Sequence, residues 1–189
     1  MIKFLTQFIK NPVKTGAIMP SSKILAQAII STADIKNQKV IVEIGPGTGV
    51  FTEAITQQLT SEAVFFAIEF NPDFVRLTKQ RCPEVEVYEG DAKDILYFLQ
   101  QQGVFHCDCI ISSLPWAAFT HKEQKELLQA LNQALTTDGV FITFAYVQGL
   151  YLASGKRFKS LLNTTFSRVE ISNIIWRNVP PASIYKAVK

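Results

Sequence analysis

The sequence predicts an α/β fold: a seven-stranded, mostly parallel sheet with helices on both faces and one antiparallel strand near the C-terminus. Three observations predict it. Apolar, β-rich runs alternate with helical patterns through the middle of the chain, which is the mark of βαβ units. A glycine-rich turn, Gly45-Pro46-Gly47-Thr48-Gly49, joins the first of these runs to a helix. The last two β-rich runs have no helix between them, so they form a hairpin at an otherwise parallel edge. Right-handed crossovers then distribute the helices over both faces.

The elements follow in order. The run 39–44 reads as a buried strand, and the glycine turn opens a helix over about 49–60. The run 63–70 is the next strand. Asn71 can cap the following helix, and Pro72 suits a first turn that needs no N–H. A short strand over 85–88 and a helix over 92–102 come next. Residues 107–112 form a strand and 121–135 have helical spacing. The turn Thr137-Asp138-Gly139 leads into a strand over 139–146. A short helix over 156–162 and two strands, 166–175 and 183–188, complete the series. No repeat, low-complexity tract or Pro/Gly/Ser-rich linker interrupts it, so a single domain over 1–189 is expected.

Composition narrows the classes. The chain has 189 residues, 48% hydrophobic and 19% charged, which is globular. No apolar run approaches the ~18 residues that span a bilayer. The opening residues carry no long apolar stretch with a small-residue cleavage site, so a cytoplasmic location is expected. Three cysteines, Cys82, Cys107 and Cys109, suit a reducing compartment. Cys107 and Cys109 flank Asp108 on a strand and should face one side and pack. The two histidines, His106 and His121, lack ligand spacing, so no metal site is expected. The net charge of +3 divides into +5 over residues 1–40, −8 in the middle and +6 over residues 151–189. Basic ends around an acidic centre fit either an anionic partner at both ends or a solvated surface.

Four strand tips carry chemistry. The first is Val42-Glu43-Ile44-Gly45-Pro46-Gly47-Thr48-Gly49, where a strand turns into a helix. Glycines let the backbone approach a ligand closely, and a helix N-terminus favours negative groups. Pro46 removes an amide that a pyrophosphate cradle would need, and the pattern is not the dinucleotide form. Glu-x-Gly-x-Gly-x-Gly is the form used with S-adenosylmethionine (SAM), which brings an amino acid and a nucleoside but no phosphate. The alternative is a tight turn alone. The second tip is Glu69, 20 residues after Gly49, which can accept hydrogen bonds from both ribose hydroxyls or be an exposed acid at a helix start. At the third, Asp91 can hold the adenine amino group while the Ala92 amide meets a ring nitrogen, or Asp91 can cap the next helix. The fourth is Ser112-Ser113-Leu114-Pro115-Trp116, where Trp116 offers an aromatic wall beside the transferred methyl group or is a buried tryptophan after an ordinary turn. Four tips in this order match a ligand lying across the carboxyl edge of a Rossmann-like sheet.

Residues 12–189 resemble the bacterial phospholipid N-methyltransferases, a branch near the rRNA adenine dimethylases. The matching segments are Lys14-Thr15-Gly16-Ala17-Ile18-Met19-Pro20-Ser21-Ser22, the glycine motif through Val50-Phe51-Thr52, Gly90-Asp91-Ala92, Ser113-Leu114-Pro115, Phe144-Ala145-Tyr146 and Arg177-Asn178-Val179-Pro180-Pro181-Ala182. The resemblance implies SAM as cofactor, held by Met19, Ser22, Glu43, Gly45, Gly47, Thr48, Gly49, Glu69, Phe70, Asp91, Ala92, Ser112 and Leu114. It implies methylation of an aminolipid such as phosphatidylethanolamine, with Tyr146, Ser113 and Trp116 on the acceptor side. The adenine dimethylases carry an Asn-Leu-Pro-Tyr type loop; this chain has Ser113 and Trp116 in place of the Asn and the Tyr. They also carry a helical RNA-binding domain after the catalytic one. Adenine N6-methylation of nucleic acid is the alternative reading.

The first residues add a physical argument for lipid. On a helical wheel at ~100° per residue, Ile2, Phe4, Leu5, Phe8 and Ile9 fall within an arc of about 160°. Lys3, Thr6, Gln7 and Lys10 take the other side. Such a helix over 2–10 can lie in an anionic membrane interface, or dock on the protein's own core. Each interfacial Lys adds ~1 kcal/mol, and the apolar residues add the rest. Phe4→Glu with Phe8→Glu is expected to abolish sedimentation with anionic vesicles while SAM affinity and the fold persist. Unfolding of the double variant would instead assign the apolar face to the core.

Overall fold

The structure, a computed structural model, describes residues 22–189; Met19 and the expected helix at 2–10 lie outside the described residues. Runs rich in Val, Ile and Phe form strands β1 (Val40–Ile44), β2 (Val64–Glu69), β3 (Glu86–Glu89), β4 (Cys107–Ser112), β5 (Leu135–Tyr146), β6 (Arg168–Ile171) and β7 (Ala182–Val188). They make one seven-stranded sheet in the order β3-β2-β1-β4-β5-β7-β6. Pairing is parallel from β3 through β5. β7 runs antiparallel to both β5 and β6. The final pair is therefore the expected hairpin, but its second strand is inserted between β5 and β6 and leaves β6 at the edge.

Helices cover both faces, as buried parallel strands require. On one face lie α1 (Lys23–Ala33), α2 (Val50–Thr56) and α3 (Pro72–Arg81). α1 sets Leu25, Ala26, Ile29, Ile30 and Ala33 against Ile41, Ile142 and Ile184, a helical stripe meeting alternate strand positions. On the other face lie α4 (Ile95–Gln101), α5 (His121–Ala134) and α7 (Ala153–Thr165), with the short α6 (Val147–Tyr151) at the end of β5. α5 packs Leu127, Leu128, Leu131 and Ala134 on Phe141, Phe158 and Leu162. The caps are sequence-local. Asn71 accepts from the Asp73 amide at 2.9 Å ahead of Pro72. Thr120 and Glu123 form a reciprocal capping box.

The structure departs from the sequence reading in several places. β5 starts at Leu135 rather than 139, because Leu135 already pairs with Cys107. Residues Thr137-Asp138-Gly139 then form an irregularity inside the strand, with Asp138 at φ +63°. The register shifts between Cys107 and Cys109. Cys107 consequently packs with α5 on one face and Cys109 with α1 on the other, so the two thiols do not share a side. The turn after Asp91 is a 3-10 segment (Ala92–Asp94) before α4. α7 extends beyond the expected 156–162 at both ends. The expected strand 166–175 is split into β6 and an isolated bridge from Ile175 to Ala182.

Asp108 clamps three strands at the amino edge. Its Oδ2 accepts from the Lys39 and Val40 amides at 3.1 and 3.0 Å, and its Oδ1 from Thr136 Oγ1 at 3.3 Å. Asp108→Ala would leave the amides of Lys39 and Val40, at the start of β1, without that acceptor. It is expected to lower the unfolding free energy by about 1–3 kcal/mol in urea titration, with Asp108→Asn losing less.

Candidate functional site

The strand order reverses between β1 and β4, and open α/β sheets hold ligands in the crevice at such a switch point. Two loops meet there. The loop after β4 is fastened by the Ser113 amide, which donates to the Ile44 carbonyl at 2.9 Å. The glycine loop after β1 is fastened by the Gly45 amide, which donates to the Ile68 carbonyl at 2.9 Å. A Cβ at Gly45 would stand 3.0 Å from Leu114 Cδ2, so this glycine makes room for the second loop. Gly47 differs: it sits at φ +60°, and a Cβ there would meet no atom within 4 Å. Gly47 therefore faces open space, whereas Gly49 is backed by Thr78 and Arg81 of α3. Thr48 between them is half-buried.

Two acids line this crevice from the same face of the sheet. Glu43, on β1, is fully buried and accepts from Thr52 Oγ1 at 2.7 Å through Oε2. Its Oε1 is buried and has no hydrogen-bond partner among the described residues. Burial pushes the Glu43 carboxyl up to about 8; the Thr52 hydrogen bond opposes this and the charge of Glu69 adds to it. Glu69, ending β2, is 6% exposed. Its Oε1 accepts from the Asn71 amide at 2.9 Å and its Oε2 from the Gly47 amide at 3.2 Å. Burial raises the Glu69 carboxyl too, against backbone hydrogen bonds from Asn71, Gly47 and Phe70. The Phe70 side chain is half-buried beside it.

The other expected residues fall around this centre. Asp91 accepts from the Lys93 amide at 3.0 Å, so it does cap the turn that Ala92 opens. The Gly90 amide ties that tip to the Glu69 carbonyl at 2.9 Å. Ser112 is buried, and its Oγ accepts from Trp116 Nε1 at 3.2 Å. Trp116 is 3% exposed and stacked on Phe158 with centroids 4.6 Å apart, so its ring is a core member and not an open wall. Ser113 and Leu114 are half-buried at the crevice. Tyr146 ends β5, edge-on to Phe144 at 5.5 Å, and burial raises its phenol above the usual range. Ser22 caps α1 by accepting from the Leu25 amide at 3.2 Å, and its hydroxyl donates to Asn178 Oδ1.

Three residues had no site role in the sequence reading, although Thr52 and Asn178 lie in the matching segments. Thr52 positions Glu43, Thr78 donates to the Gly47 carbonyl at 3.0 Å, and Asn178 joins the Pro-Pro segment to α1. Thr78 had a signal: with Val75 and Cys82 it occupies the inward stripe of α3, where a polar residue needs a partner. A cavity of about 380 Å³, lined by residues including Thr56, Leu59, Ala63 and Val85, lies at the opposite, amino edge of the sheet.

Residues 41–139 match the model of the methyltransferase domain family. The chain is 30% identical over 185 residues to an ornithine lipid N-methyltransferase of Singulisphaera acidiphila, covering 96% of this chain and 92% of that protein. It is 45% identical over 67 residues to ribosomal RNA small subunit methyltransferase A of Dechloromonas aromatica, but that match covers 34% of this chain and 25% of that protein. Among solved structures, the N-methyltransferase NodS of Bradyrhizobium japonicum is similar with a TM-score of 0.67 at 12% identity, covering 88% of this chain and 95% of that one.

The buried Glu43 carboxyl sets a pH dependence. The folded protein keeps this proton up to about pH 8, whereas an ordinary glutamate with its value of 4.5 releases it earlier. The folded state thus binds more protons between these limits, and stability falls as pH rises through them. Glu43→Gln is expected to flatten that decline in urea titrations at pH 5, 6.5 and 8. An unchanged slope would exclude Glu43 as its source.

Proposed function

The chain belongs to the SAM-dependent methyltransferases, and from that premise we propose that it methylates the amine of a membrane aminolipid. It is an enzyme with S-adenosylmethionine as methyl donor. The observation that carries the lipid reading is the 30% identity to an ornithine lipid N-methyltransferase along 96% of this chain. The similarity to adenine methyltransferases is confined to a part of each protein. The burial of Trp116 also speaks against that second reading, since a ring stacked on Phe158 has no free face for a base.

The crevice suits the cofactor. Among the described residues, Glu43 Oε1 is a buried acceptor with no donor, and no atom lies within 4 Å of a Cβ built at Gly47. In this proposal Glu43 receives the amino group of the amino acid part, and Glu69 the ribose hydroxyls. Asp91 and the Ala92 amide receive the adenine edge. Gly45, Thr48, Gly49, Phe70, Ser112 and Leu114 shape the walls, and Ser22 closes the site from the α1 side. When bound, SAM supplies a methyl group made electrophilic by a sulfonium.

The chain's own work is then placement and exclusion of water. Ser113 and Leu114 border the acceptor on the β4 side and Tyr146 on the β5 side. Trp116 holds that loop through Ser112 rather than touching the acceptor. A lipid ammonium must lose a proton before it can act as a nucleophile. The Tyr146 phenol, raised by burial, is itself protonated at neutral pH, so the proton goes to solvent and Tyr146 serves as a hydrogen-bonding wall. The acceptor lies at an anionic membrane surface, which the protein visits peripherally from the cytoplasm. Among the described residues no helix is long and apolar enough to cross a membrane.

The reading is tested by incubating the protein with labelled SAM and either membrane lipids or ribosomal RNA. Label is expected in an aminolipid, and label in RNA alone would overturn the reading. Gly47→Ala is expected to weaken SAM binding at least tenfold, about 1.4 kcal/mol or more. The backbone strain at positive φ costs the fold roughly 1–2 kcal/mol. Calorimetry showing wild-type affinity in the folded variant would remove Gly47 from the cofactor site.

A further inference from the structure

Four large apolar side chains stand exposed at the carboxyl edge beyond β5 and β7: Tyr151 at 72%, Leu152 at 54%, Trp176 at 69% and Val179 at 66%. Scattered surface hydrophobics need no explanation, but these share one place in the fold. Tyr146 pairs with Ala182, and the Val147 amide donates to the Pro181 carbonyl at 2.9 Å. α6 starts there and brings Tyr151 about 6 Å further along in one helical turn. Trp176 and Val179 lie in the loop before β7. That loop is held by the Ile175 amide on the Ala182 carbonyl at 2.8 Å and by the Asn178 amide on the Ile175 carbonyl at 3.2 Å. The buried Asn178 also accepts from Ser22, which sets Lys23 and the 37% exposed Ile24 beside the same loop.

The charge around these side chains has one sign. Arg177 is exposed between Trp176 and Asn178, Lys23 is exposed at the start of α1, and Lys156 is exposed one turn after Leu152. Across residues 147–189 the single acid is Glu170, and it is engaged by Arg168 at 3.3 Å. Two aromatic rings, aliphatic tips and cations in a stretch with a single acid form the pattern of a surface that sits at lipid headgroup level.

We propose that the rim formed by Tyr151, Leu152, Trp176 and Val179, with Arg177 and its neighbouring lysines, is a docking surface for an anionic phospholipid bilayer. The choice of partner rests on the aminolipid reading of the adjoining crevice. The rim borders the carboxyl edge where Tyr146 ends β5, so docking would bring headgroups to the acceptor side of the site. Its cations provide the attraction and Trp176 provides the insertion. The rim would act together with the expected helix at 2–10.

The chain has two tryptophans, and since Trp116 is buried, Trp176 reports on its own surroundings. The full-length protein is mixed with vesicles of phosphatidylcholine and phosphatidylglycerol, which contain no aminolipid. Its emission is expected to shift to the blue and to be quenched by lipids brominated in the acyl chains. Trp176→Phe should keep vesicle binding and lose both signals. Trp176→Glu with Val179→Glu should weaken vesicle binding by about tenfold or more, with melting temperature and SAM affinity unchanged. An emission spectrum indifferent to these vesicles would overturn the proposal, as would a shift produced by ribosomal RNA and not by vesicles. Methyl transfer to a short-chain, dissolved aminolipid is measured in parallel. If that fails while Trp176 still inserts, the substrate reading is wrong and the rim stands.

Discussion

The Gly47 amide donates to Glu69, and through this one carboxylate the ends of β1 and β2 become a single unit. Glu69 also receives the Asn71 amide, so it fixes the start of α3 while it fixes the glycine loop. Thr78, one face further along α3, returns to the Gly47 carbonyl. Gly47 is thus held at both its amide and its carbonyl, in the two peptide units that flank its Cα, by elements that follow it in the chain. A buried carboxylate is costly to ionise, and backbone amides aimed at it are the compensation. Glu43 has instead a single hydroxyl donor, Thr52, and burial raises its carboxyl to about 8.

The opposite wall is organised by packing instead of charge. Trp116 is enclosed by Phe119, Phe141 and Phe158 and hydrogen-bonded to Ser112. Its backbone carbonyl accepts from Gln124 at 2.7 Å, which links the loop to α5. The loop after β4 therefore has little freedom, and Leu114 can come close to Gly45 without displacing it. One wall of the site is a polar lattice and the other is an aromatic core with a loop stretched over it.

The sequence disclosed whatever was decided by neighbours along the chain. β4 was found to its end residues because apolar alternation stops sharply at Ser112 and Leu114-Pro115. The start of α3 was plain from Asn71 and Pro72. Glu43, Gly47 and Glu69 were legible because strand ends and a glycine turn mark where a ligand can approach the backbone. What stayed hidden depends on distant partners. Nothing near Leu135 announces its pairing with Cys107, and nothing near Trp116 announces Phe158. The order of β6 and β7 was equally hidden, because a hairpin pattern does not say which of its strands will join the sheet. Thr137-Asp138-Gly139 reads as a turn by composition, yet pairing on either side keeps it within a strand. Of the expected cofactor residues, Met19 lies outside the described residues, and Ser22 is engaged by Asn178.

The contact between Ser22 and Asn178 joins residues 156 positions apart. During synthesis at ~5–20 residues per second, Asn178 is made roughly 8–30 s after Ser22. Throughout that interval α1 has an apolar stripe but neither the strand β7 it packs on nor the loop that fastens its first turn. Until then α1 can pack on the parts made earlier, Ile41 of β1 and Phe51 and Ile55 of α2, and its stripe is covered in full only once β7 is inserted.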